Sequence, residues 1–139
     1  MRLTLRDGLA TLFVCSAGAV YGIWASRTAM TGLSTRDIAA VVFGLGWAAC
    51  LADKNEMAVV YGAARGRPRP PVAYAVLASA VGALALLTGI TALVNASGTM
   101  LALLVTFMCG MWMLATARHL LARSTYSAVS SAARPPKAA

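Results

Sequence analysis

Polar and apolar positions along this chain fall into long blocks, without the short periods of a soluble helix or strand. The first apolar block runs from Gly8 to Ala25, with LATLFVCSAGAVYGIWA at its heart. The second, Ile38 to Ala52, is short for a span. Asp53, Lys54 and Glu56 follow it, and then a modest apolar stretch from Met57 to Ala64, a pattern that predicts a helix leaving the bilayer near Asp53 and continuing along the interface. The third block, Val72 to Val94, holds 23 residues and no charge. The fourth, Thr99 to Ala117, is closed by Arg118, His119 and Arg123. Crossing the hydrocarbon takes roughly 20 apolar residues in a helix. The blocks therefore predict an all-α membrane protein with four transmembrane helices, over about 8–27, 37–53, 72–94 and 99–118.

Connections between the blocks refine this picture. Asn95-Ala-Ser-Gly98 leaves room only for a tight hairpin, so the Asn95-Ala96-Ser97 sequon beside the membrane reads as a turn. Residues 1–123 form one membrane domain, and the Ser/Ala/Pro-rich segment 124–139 is expected to be a disordered cytoplasmic tail. A cleaved leader does not fit the first block: it exceeds the usual apolar region of about 7–15 residues and no A-x-A site closes it. The two helix entrances resemble each other. LTLRDGLATLF (Leu3 to Phe13) aligns with LSTRDIAAVVF (Leu33 to Phe43), and Thr4 with Asp7, like Ser34 with Asp37, suits a capping box. An inverted transporter repeat would extend such a match to the later spans, and it does not extend there. Shared capping needs explain the likeness better.

Charge sets the direction. Lys and Arg at the N-terminus (Arg2, Arg6), in the middle loop (Lys54, Arg65, Arg67, Arg69) and after the fourth block (Arg118, Arg123, Arg134, Lys137) number ten, against Arg27 and Arg36 alone on the other side. The positive-inside rule then predicts an antiparallel up-down bundle with both termini cytoplasmic. Trp24 falls near the outer interface, and Tyr61 and Tyr74 near the inner one. Composition agrees: 60% of residues are hydrophobic and 12% charged, with mean hydropathy +0.74, against about 45–50% and 25% in soluble domains. That leaves no length for a separate soluble domain. Three cysteines inside apolar blocks exclude a disulfide-stapled scaffold.

Little in the spans points to chemistry. No carboxylate, lysine or arginine lies at the middle of one, which speaks against a proton-coupled carrier of the small four-helix kind. His119 is the only histidine, so paired axial ligation of haem within one chain is excluded, and no C-x-x-C supports a thiol oxidoreductase. Met108 to Met113 is the densest sulfur cluster; Cys109 and Met113 share a helical face and are the candidate soft-metal ligands. Gap-filling in a core accounts for such residues more simply, as it does for Cys15 and Cys50, so no metal or cofactor is expected.

Small residues recur at helical spacing. Gly18 with Gly22, Ala40 with Gly44, Ala78 with Gly82 and Thr106 with Gly110 are expected to pack helices closely, within the bundle or against a second copy or a partner membrane subunit. Ser79, Thr88, Thr91 and Thr106 can bond across helices or to their own carbonyls. The loop Arg65-Gly-Arg67-Pro-Arg69-Pro-Pro forms an extended basic strip suited to anionic lipid head groups at the inner face, at about 1 kcal/mol per basic residue, or to a cytosolic partner. Its RGRP string is also shared with minor-groove binders of DNA, but four residues tethered beside two helices favour lipid over nucleic acid.

LTLRDGLATLFV and GLGWAACL resemble small four-span integral membrane proteins of actinobacteria, and ten Arg against two Lys suits a G+C-rich genome. The resemblance implies a bacterial plasma membrane and the four-span topology, and carries no catalytic residue. The expected role is non-enzymatic: a structural, accessory or assembly subunit. The alternatives are a small oligomeric transporter or holin-like pore, and a metal- or redox-linked protein using Cys109 and Met113.

Overall fold

A computed structural model describes residues 5–30, 32–52, 58 and 71–132, with side chains described as far as residue 118. Among these residues the chain is helical, without strands. Four helices follow in order: α1 (Leu5–Ala25), α2 (Thr35–Ala52), α3 (Val72–Asn95) and α4 (Gly98–Ala132). Each contains a stretch long and apolar enough to cross a membrane, in α4 the part Gly98–Arg118. The observed bounds lie within three residues of the expected spans at every end except that of α4.

Local chemistry explains where the helices start and stop. At the head of α2 the Ser34 hydroxyl accepts from the Asp37 N–H (3.3 Å), while the Asp37 carboxylate accepts from the Ser34 N–H (2.9 Å) and hydroxyl (2.7 Å). This is the reciprocal capping box expected from the sequence, with Asp in the place of Glu. Its counterpart at Thr4 lies outside the described residues. α3 ends at Ala96, a left-handed residue with φ 49° and ψ 39°. The next residue, Ser97, caps α4 by accepting the Met100 N–H on its hydroxyl. Two residues therefore turn the chain, as the NASG string anticipates.

The end of α4 departs from expectation. A disordered tail is expected from Ser124, yet the helical backbone runs on to Ala132. Adding a residue to an existing helix costs far less than starting one. The segment beyond Arg118 holds Ala, Leu and Ser, and meets no proline until Pro135. Residues 133–139 lie outside the described part, as does the middle loop with its expected interfacial helix.

α1 packs on α2 and α3 on α4, and the pairs meet through contacts of α2 with α3 and α4 and of α1 with α4. The core is Ala17, Ile38, Ala39, Val42, Ala92, Leu101, Leu104 and Met108, flanked by Tyr21, Trp24, Phe43 and Leu93. Most lie in the halves of their helices nearest Trp24, with Met108 at mid-span; Ala49 and Ala78 are buried toward the other end. Outside the core, large apolar side chains face outward on every helix, among them Leu12, Trp47, Leu87 and Met113. An aqueous monomer rarely exposes apolar surface so continuously; a bilayer requires it.

Candidate functional site

The Trp24 end brings together the last turn of α1, the first of α2, the last of α3 and the first of α4. Arg36, in the first turn of α2, reaches across to the end of α3. Its Nε donates to the Leu93 carbonyl (2.9 Å) and a terminal nitrogen donates to the Val94 carbonyl (3.0 Å). These carbonyls belong to the last turn of a helix, where no intrahelical donor exists and the dipole favours a cation. Arg36 thus acts as a C-cap delivered by another helix. Nearby, the Trp24 indole N–H donates to the Leu33 carbonyl (3.3 Å) and ties α1 to the turn that leads into α2. Tyr21 sits one turn earlier, its ring 6.4 Å from that of Trp24.

Between the end of α1 and the start of α4 lies a cavity of about 420 Å³, lined by Tyr21, Trp24, Ala25, Arg27 and Gly98. Arg27 follows the α1 terminus in a left-handed conformation, φ 55°, with its N–H bonded to the Trp24 carbonyl (3.1 Å). Glycine is the usual occupant of such a position after a helix. Ser26 and Thr28 on either side share a hydroxyl hydrogen bond of 2.6 Å.

Toward the other end, two contacts join the helices. The Trp112 indole donates to the Thr11 hydroxyl (3.0 Å), linking α4 to α1, and that hydroxyl donates back to the Asp7 carbonyl (2.8 Å). The Arg118 guanidinium lies 5.4 Å from the centre of the Tyr74 ring. Thr88, Thr91 and Thr106 bond to carbonyls of their own helices, whereas Arg36 and Trp112 bond across to another helix and Trp24 to the turn before α2.

The glycines singled out by spacing mostly do not pack the bundle. A methyl group built on Gly18, Gly22, Gly44 or Gly82 would meet nothing within 4 Å, and one on Gly110 would only touch Val81 at 3.9 Å. The close approaches are elsewhere. A methyl on Gly89 would overlap the Phe43 ring, and one on Gly46 would lie 3.1 Å from the Met108 sulfur. The signal for Gly89 was present: Ala85, Gly89 and Ala92 form a small-residue row on α3 that extends beyond a single GxxxG. Cys15 and Cys50 are exposed rather than buried in a core.

Of the candidate soft-metal ligands, Cys109 is half-buried on α4. Met113 points outward at 63% exposure, and Met108 is turned inward against Gly46. No group of three His, Cys, Asp or Glu that could hold a metal occurs among the described residues. Arg65, Arg67 and Arg69 lie outside the described residues. Comparison with family models, curated proteins and solved structures finds no match for this chain.

Proposed function

We propose that this chain is a multi-pass protein of a bacterial plasma membrane, an antiparallel four-helix bundle with both termini in the cytoplasm. It serves there as a non-enzymatic structural, accessory or assembly subunit. The gathering of alternate helix starts and ends at the Trp24 end supports the up-down arrangement, and the excess of Lys and Arg on the opposite side supports its direction. The arginine strip of the middle loop then faces anionic head groups of the inner leaflet.

One observation carries the accessory reading: small-residue motifs on α1 and α2 are not used inside the bundle. A Cβ on Gly18, Gly22 or Gly44 would meet no atom within 4 Å, while the close approaches inside the bundle fall at Gly89 and Gly46. In lipid, close backbone approach at small residues is what holds helices together. Unused motifs of this kind suit docking to a helix of another subunit.

The test is to purify the tagged chain from gently solubilised membranes. A single membrane partner is expected at constant stoichiometry. The double substitution Gly18→Leu with Gly22→Leu is expected to release that partner while the chain keeps its thermal unfolding midpoint. A homogeneous oligomer of this chain alone, conducting ions when reconstituted in vesicles, would overturn the accessory role in favour of a pore.

A further inference from the structure

The cavity at the Trp24 end, about 420 Å³, is a cleft half open to its surroundings, suited to part of a molecule whose remainder lies outside it. Its lining divides by chemistry. Tyr21, Trp24 and Ala25 give it an apolar and aromatic wall; Arg27 supplies a cation, and Gly98 opens the first turn of α4.

Among the described residues Arg27 is the unengaged charge at this end. Arg36 is held by the Leu93 and Val94 carbonyls, and the Asp37 carboxylate by Ser34. No hydrogen bond or ion pair joins Arg27's guanidinium to another described residue. Arg27 is exposed, so its five donors are open to solvent and to an acceptor that enters the cleft. At the start of α4, the Met100 and Leu101 N–H groups are taken by Ser97. The Gly98 and Thr99 N–H groups precede the first intrahelical bond and carry the positive end of the dipole. A forked guanidinium matches a phosphate in geometry as well as charge. Trp and Tyr beside it are the residues that settle at the boundary between head groups and acyl chains.

We propose that this cavity binds the phosphate of one phospholipid head group from the leaflet on the Trp24 side. Arg27 pairs with the phosphate, and the rings of Tyr21 and Trp24 flank the glycerol and the first acyl carbons. The inference rests on the membrane reading of the chain but not on its accessory role. A free phosphate offers the same anionic chemistry; the apolar wall is what favours the lipid.

The test uses the full chain in a mild non-ionic detergent. Phosphatidylglycerol is titrated and bound lipid counted by native mass spectrometry, with inorganic phosphate titrated in a parallel arm. One saturable lipid is expected. Arg27→Gly removes the guanidinium at a backbone conformation that glycine prefers, so it is expected to keep or raise the unfolding temperature while weakening lipid binding about ten-fold. Gly98→Leu keeps Arg27 and fills the cavity from its α4 side, where a Cβ would stand 3.9 Å from the Trp24 ring; it is expected to abolish the bound lipid. Lipid retained at equal affinity in both variants would overturn the proposal. So would an Arg27-dependent site that takes inorganic phosphate as tightly as the lipid. Membrane fractionation of the cells tests the membrane reading independently.

Discussion

Arg36 shows how a single side chain can fasten a bundle whose interior offers little polar adhesion. Its guanidinium bonds two carbonyls that α3 leaves without partners, 57 and 58 residues away in sequence. Arg36→Met keeps the apolar stem and removes both bonds. The residue is exposed, so water or head groups replace part of what is lost, and the expected cost is about 1 kcal/mol of stability. Arg36→Lys recovers only part, because an ammonium cannot reproduce the planar fork. Thermal unfolding in detergent should rank native above Lys above Met; equal midpoints would remove the cap from the account. Ala96 offers the opposite experiment. Its left-handed backbone, φ 49° and ψ 39°, is a conformation glycine adopts freely. Ala96→Gly is expected to stabilise the chain by about 0.5–1 kcal/mol, seen as a raised midpoint.

At the scale of the helices, the sequence was legible where the bilayer imposes a length and opaque where a face had to be chosen. Spans could be read because some 20 apolar residues are needed whatever the packing. The Ser34–Asp37 cap was readable because a cap is local. Which glycines meet a neighbour was not, because these helices are apolar all round and their pattern marks no inner stripe. Spacing therefore chose Gly18, Gly22, Gly44 and Gly82, while packing chose Gly89 and Gly46. The distinction can be measured. Gly89→Ala forces a methyl into the Phe43 ring and is expected to cost about 1–3 kcal/mol, with relief when Phe43→Leu is added. Gly44→Ala meets nothing and is expected to be neutral or slightly stabilising, since alanine favours a helix over glycine by roughly 1 kcal/mol. Equal losses at the two positions would contradict this packing. Arg27's cavity was equally hidden, since Tyr21 and Gly98 are neighbours only after α1 and α4 fold together.

For the whole molecule, direction in the membrane decides what every surface meets. The proposed orientation, with the termini inside, turns the Trp24 end and its cavity to the outer leaflet and the middle loop to the cytoplasm. A cysteine introduced at Thr28, which lies in the exposed turn after α1, is then expected to react with a membrane-impermeant maleimide in intact cells. Fluorescent protein fused to the C-terminus is expected to glow, because it folds in the cytoplasm. Native Cys15, Cys50 and Cys109 lie within helices long and apolar enough to span a bilayer and should label slowly, which a chain lacking the Thr28→Cys change controls. Replacing the three loop arginines by glutamine still leaves seven Lys and Arg against two, so orientation should persist, because the bias is counted over all short loops and tails. Loss of anionic-lipid contact with unchanged labelling would separate the strip's role at the surface from topology. Inverted labelling in that variant would instead make the loop the determinant of direction. Labelling of the Thr28→Cys chain only after permeabilisation, with a dark fusion, would reverse the whole bundle and move the proposed phospholipid site to the inner leaflet.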